Sequence, residues 1–92
     1  MKLHLGCGNV HLDGWLNVDI SELPAADRLD DVSTLETIVD NSCEIIYASH
    51  VLEHFGRNEY LDVLKVWHSK LCPGGVLRLA VPNIGAALTW YN

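Results

Sequence analysis

Three places in this 92-residue chain put glycine, carboxylate, or hydroxyl and imidazole groups directly behind an apolar run. Gly6, Cys7 and Gly8 follow Leu3-His4-Leu5, Asp19 and Ile20 close the run that begins at Trp15, and Ser49 and His50 follow Ile45-Ile46-Tyr47-Ala48. Glycines behind a strand let a ligand approach the backbone closely because no side chain intervenes, although a Gly-x-Gly also suits an ordinary tight turn. An aspartate at the end of the next strand adds chemistry, since a carboxylate accepts hydrogen bonds from both hydroxyls of a ribose. A pyrophosphate would need a third glycine and a helix N-terminus, and the ten residues 9–18 between Gly8 and Asp19 leave no room for them. The pattern points to a nucleoside-type ligand without phosphates.

His50 has two further possible uses. With Glu53 and His54 it fits H-x-x-E-H, in which histidines one helical turn apart share a zinc ion, and a zinc hydrolase is therefore one alternative. A third ligand is wanting: beyond Glu59 the sole acidic residue is Asp62, and His68 is the other candidate. No metal is expected. The competing assignment packs Leu52 and Phe55 into the core and leaves Glu53 and His54 in local hydrogen bonds at a helix start. His50 is also the candidate general base, because imidazole titrates near neutral pH; its alternative role is to order the loop.

Placing these groups requires alternating elements. Residues 2–5, 15–20, 26–29, 44–48 and 76–81 read as strands, with a short helical or irregular piece at 35–39. The clearest helix holds Tyr60, Val63, Leu64, Trp67 and Leu71 at steps of three and four, with Asn58 as cap and Pro73-Gly74-Gly75 as its stop. Trp15, Tyr60 and Trp67 read as core, whereas Trp90 and Tyr91 read as contacts for a partner. Strands alternating with crossovers imply an α/β fold, a mostly parallel sheet whose ligands bind at the carboxyl ends of the strands.

Composition bounds the function. The length suggests one domain, and an apolar fraction of 49% argues for a packed, soluble globular chain. A net charge of −6 opposes nucleic-acid binding. Nine carboxylates between Asp13 and Glu44 face only Arg28, so a ligand near the first half is more easily cationic or hydroxyl-bearing than anionic. Three widely spaced cysteines without a C-x-x-C pair suggest neither a disulfide framework nor a thiolate metal site. With no secretory apolar region at the start and no run near the length of a membrane span, a cytoplasmic location is expected.

Taken in order, Leu5-Gly6-Cys7-Gly8, Gly14-Trp15-Leu16-Asn17-Val18-Asp19, Ile46 to Phe55 and Leu71-Cys72-Pro73-Gly74-Gly75-Val76-Leu77-Arg78-Leu79 resemble a class I S-adenosylmethionine-dependent methyltransferase of the small type 11 kind. The resemblance implies a Rossmann-like sheet of about five strands in the order 3-2-1-4-5 with helices on both faces. It implies S-adenosylmethionine as cofactor and in-line methyl transfer to an unidentified acceptor, a reaction for which no catalytic base is obligatory. Gly6, Cys7 and Gly8 would lie against the methionyl part, Asp19 with Ile20 at the ribose, and Asp31 with Val32 at the adenine. Asp30 competes with Asp31 for that last place. Ser49 and His50 would flank the methyl-transfer point.

Some features depart from the family. A full helix usually separates the glycine loop from the second strand, and here it is nearly absent. Cys43 and Glu44 stand where Phe and Asp are frequent. The family continues beyond the fifth strand with a helix and two more strands, so residues 1–92 are expected to form a single but incomplete cofactor-binding domain. An alternative function is therefore a non-catalytic or truncated binding module. The strand Val76 to Val81 would then present an open edge, and a homodimer is expected through that edge or through the segment from Ile84 to Tyr91.

Overall fold

The computed structural model describes residues 1–49, 51, 55–56, 58–81 and 86–91, with Val81 and 86–91 described as backbone alone. Its strands are β1 (Lys2–Leu5), β2 (Leu16–Asp19), β3 (Arg28–Leu29), β4 (Cys43–Ser49), β5 (Leu71–Val81) and β6 (Ala86–Tyr91), and its helix is α1 (Tyr60–Lys70). Five strands run parallel in the order β3-β2-β1-β4-β5, as the motif order implies. The sixth, β6, pairs antiparallel with β5 from Val76 opposite Tyr91 to Val81 opposite Ala86. The expected open edge at Val76 to Val81 is thus occupied. The outer strand on that side is the chain's own C-terminal segment.

The period-two alternation of strands separates two unlike faces. On one face Leu3, Leu5, Val18, Ile46, Ala48, Leu77 and Leu79 are each at most 5% exposed. They form one core with Leu35, Ile38 and the buried face of α1, Val63 and Trp67. The opposite face carries Asn17, His4, Tyr47 and Arg78 side by side in register across β2, β1, β4 and β5. Asn17 and His4 are buried there, Tyr47 is half-buried and Arg78 is exposed. Parallel sheets are ordinarily apolar and covered on both sides. Here α1 is the one helix among the described residues, and it covers only the apolar face; the short crossovers between β1, β2 and β3 form turns.

Local chemistry sets the limits of α1 and β5. Glu59, in place of Asn58, is the residue before the helix, and it makes no side-chain capping bond. The N–H groups of Glu59 and Tyr60 both donate to the carbonyl of Gly56, at 2.9 and 3.1 Å, so a turn supplies what a side-chain cap would have supplied. At its other end α1 passes directly into β5 at Leu71, five residues before the expected strand start. Leu71 pairs with Cys43 and Val76 with Ile45, so Pro73-Gly74-Gly75 is looped out as a bulge within the pairing. Gly74 has φ +81°, and a Cβ on Gly75 would lie 2.8 Å from the Cys72 carbonyl and 3.0 Å from that of Cys43. β3 is shorter than expected: Ala26 is held in a turn by its bond to the Leu23 carbonyl, and the bond from the Asp27 N–H to the Asn17 carbonyl sets the start of the strand.

Trp67 joins the core to the loop after β3. It is fully buried, and its indole N–H donates to the Val32 carbonyl at 2.7 Å. Trp67→Phe keeps an aromatic ring but leaves that carbonyl without its donor, and about 1–3 kcal/mol of stability should be lost. Urea unfolding should show a lower midpoint with an unchanged slope; an unchanged midpoint would remove Trp67 as the anchor of this loop.

Candidate functional site

A cleft of about 520 Å³ opens at the carboxyl ends of the parallel strands. Gly6 comes from the end of β1, Asp19 and Ile20 from β2, Asp31, Val32 and Ser33 from beyond β3, and Val51 and Phe55 from beyond β4. Gly6 has φ +61°, and a Cβ there would collide with Val51 Cγ2, so glycine is required both by the backbone and by the wall of the cleft.

The Asp19 carboxylate fastens two loops. Oδ2 accepts from the Gly8 N–H at 3.0 Å and Oδ1 from the Ser21 N–H at 3.0 Å. Each carboxylate oxygen has room for a second donor. Asp31 is arranged differently. Its Oδ1 takes both the Ser33 hydroxyl, at 2.6 Å, and the Ser33 N–H, at 2.9 Å. Its Oδ2 has no partner among the described residues. The Ser33 hydroxyl, helped by the Ser33 N–H, holds the Asp31 carboxyl below the usual carboxylate range. Asp30, the competitor for this place, is occupied elsewhere: its Oδ2 accepts from the Thr37 N–H at 3.1 Å and the Thr37 hydroxyl at 2.6 Å.

A second cavity, of about 410 Å³, shares Gly6 with the first. Cys7 and Val10 line it from the glycine loop, His4 from β1, and Tyr47 and Ser49 from β4. Burial, and then the nearby Asp19 carboxylate, push the Cys7 thiol up, which keeps it protonated and unreactive at neutral pH.

The expected site residues are therefore divided. Gly6, Asp19, Ile20, Asp31 and Val32 meet in the first cleft, whereas Cys7 and Ser49 line the second. Gly8 lines neither and instead holds Asp19. His50, Glu53 and His54 lie outside the described residues. Among the described residues no three His, Cys, Asp or Glu side chains are grouped to hold a metal ion, and no helix is long and apolar enough to cross a membrane. Sequence reasoning missed Ser33, whose signal is the Asp-x-Ser spacing of a side-chain turn; Phe55 packs against the core as expected and also lines the cleft. It also missed His4 and Tyr47, although a lone histidine alternating with Leu3 and Leu5 must face away from the core. Compared with known proteins, the chain matches no family model and no curated sequence.

Two outcomes check this geometry. Gly6→Ala should lower stability by about 1 kcal/mol or more, because the residue would need both a left-handed backbone and the space of Val51; thermal unfolding at the wild-type midpoint would contradict the clash. Asp27 is held below the usual range by the Asn17 N–H, and then by the Asn17 side chain, and Asp31 by Ser33. A depressed carboxylate stabilises the fold at neutral pH, and that contribution disappears as pH falls through its folded-state pKa. Urea stability should fall between about pH 5 and pH 3, and less steeply in Asp27→Asn and Asp31→Asn; identical pH profiles would contradict these bonds.

Proposed function

We propose that the chain binds S-adenosylmethionine in the first cleft and takes part in methyl transfer from it. The observation that carries this is the pairing of Asp19 and Asp31 across a cleft whose other walls are Ile20, Val32, Val51 and Phe55, with no lysine or arginine among the described lining residues. Two carboxylates between apolar surfaces suit a nucleoside, whose hydroxyls and amino group donate and whose base prefers an apolar slot. They oppose a phosphate. The resemblance in motif order supports the same ligand.

Each residue has a stated task. Asp19 accepts from the ribose hydroxyls, Oδ2 of Asp31 accepts from the adenine amino group, and Ile20, Val32 and Phe55 enclose the base. Gly6 admits the sulfur end to the backbone, and the local negative charge tolerates a sulfonium. When bound, the cofactor supplies an electrophilic methyl group, and the residues around it act by orientation. Ser49, which lines the adjoining cavity, stands at the transfer point. Because β6 occupies the edge of β5, a homodimer would form through the C-terminal segment. The cytoplasm, a reducing compartment, suits a chain whose three cysteines are widely spaced and include no C-x-x-C pair.

Binding has a direct test. S-Adenosylhomocysteine at about 100 times its Kd should stabilise the fold by about 2.7 kcal/mol, seen as a rise in Tm. Asp19→Ala should abolish the rise, adenosine should produce a smaller one, and ATP none. A chain whose Tm does not move with millimolar S-adenosylhomocysteine does not have this function.

A further inference from the structure

The polar face of the sheet is covered on one half and bare on the other. Over β2 and β1 the turns of residues 9–15 lie across it. Leu12 is bonded to the Asn17 side chain through both its N–H and its carbonyl, Val10 lines a cavity with His4, and the Trp15 ring lies 5.9 Å from the Lys2 ammonium. Asn17 and His4 are therefore buried although α1 packs on the other face. Over β4 and β5 the strip is bare among the described residues: Ile45, Tyr47, Val76 and Ala80 are half-buried and Arg78 is exposed. The surface is a ridge beside a trough, with β6 as the far rim of the trough. At the step between them the Trp15 and Tyr47 rings meet edge to face, with centroids 6.3 Å apart.

The two halves carry opposite charge at the same height along the strands. From the floor of the ridge outward run Asn17, Asp27, His11 and Asp13. Asp27 Oδ2 accepts from the Asn17 amide at 2.8 Å, Asp27 Oδ1 faces His11 Nε2 at 3.2 Å, and His11 Nδ1 faces Asp13 Oδ1 at 3.2 Å. The Asp13 side chain is fully exposed. In the trough, Arg78 has no acidic partner among the described residues. Asn17, His4, Tyr47 and Arg78 are paired in register, so the acidic crest and the arginine stand at one level.

We propose that this face binds a second copy of the chain, ridge into trough, about a two-fold axis that runs parallel to the strands between β1 and β4. The trough calls for an acidic projection at the level of Arg78, and the ridge of the same chain carries one. With the sheet order β3-β2-β1-β4-β5-β6, such an axis sets β2 opposite the partner's β5 and β1 opposite its β4, and it preserves the level along the strands. Each Asp13 then meets the partner's Arg78, twice by symmetry. A two-fold axis across the strands would instead set ridge on ridge and acid on acid. Opposite charges at matched positions fix the register of such a contact more than they add affinity. Six strands about 4.8 Å apart and about 20 Å long offer about 500 Å² per copy, about 1,000 Å² in total, the lower end of a specific interface. The dimer is therefore weak and reversible. Both copies point the carboxyl ends of their strands the same way, which leaves each Asp19–Asp31 cleft open. The inference rests on the homodimer reading, to which it gives a surface, and not on cofactor binding.

Analytical ultracentrifugation of the full chain over a concentration series should show a reversible equilibrium whose limiting mass is twice the 10.2 kDa of one chain. Arg78→Glu and Asp13→Arg each set like charges together at both symmetric contacts, and each should raise the dimer Kd about tenfold or more. Mixed in equal amounts, the two variants should recover the dimer, because opposite charges meet at both contacts of the mixed pair. On the wild-type chain, dilution should shift the NMR amide signals of His11, Tyr47 and Arg78 and leave those of α1 in place. A chain that stays monomeric throughout the series would overturn the surface and the homodimer together. A dimer indifferent to both substitutions, a mixture no more dimeric than its parts, or dilution shifts confined to residues 86–91 would overturn this surface and leave the homodimer to another contact, the outer edge of β6 among them.

Discussion

The buried amide of Asn17 is the interaction on which the first half of the molecule depends. The crossover from β1 to β2 has no helix, so the backbone groups of its turns cannot satisfy one another along a helix and must find partners elsewhere. Asn17 supplies them. It meets the Leu12 N–H and carbonyl, the Trp15 carbonyl, His4 and Asp27. The Asn17 N–H also donates to Asp27 Oδ2 and its carbonyl accepts from the Asp27 N–H, which sets the start of β3. One fully buried side chain thereby ties the turn from Leu12 to Trp15 to the ring of His4 and to Asp27. Two residues on, Asp19 closes the same loop from outside through Gly8.

That solution explains the asymmetry of the sheet. The apolar face and α1 make a conventional core, whereas the other face carries a row of polar groups from Asn17 to Arg78. A buried polar network is tolerable when its members are paired, and no buried side-chain nitrogen or oxygen among the described residues lacks a partner. The two cavities lie where this network meets the carboxyl ends of β1 and β4, and they touch at Gly6. Gly6 must be glycine on two accounts, its left-handed backbone and the Val51 side chain packed against it.

Much of this was legible in the sequence. The strand cores at Leu3 to Leu5, Leu16 to Asp19 and Ile45 to Ala48 are apolar and β-rich, and the motif order gave the arrangement of the five parallel strands. Asp19 stood out by its place after a strand. The rest depends on which partners each group finds. Asp31 takes Ser33, two residues on, and Asp30 takes Thr37, seven residues on; the Asp-x-Ser spacing is the local signal that separates them. β6 pairs antiparallel with the strand before it, but the segment's aromatic residues looked equally suited to a partner. Pro73-Gly74-Gly75 read as the gap between a helix and a strand because a bulge of that size carries no periodicity. His4 was passed over because a strand histidine gains a role only when the neighbouring strands show what it faces.

Intermolecular nuclear Overhauser effects between S-adenosylhomocysteine and the chain test the central claim most directly, that the cleft between Asp19 and Asp31 is a nucleoside site. The adenine protons should contact Phe55 and Val32, and the ribose protons Gly6 and Ile20. Adenine contacts to Tyr47 or Val10 in place of these, or no intermolecular contacts at saturating ligand, would contradict the account.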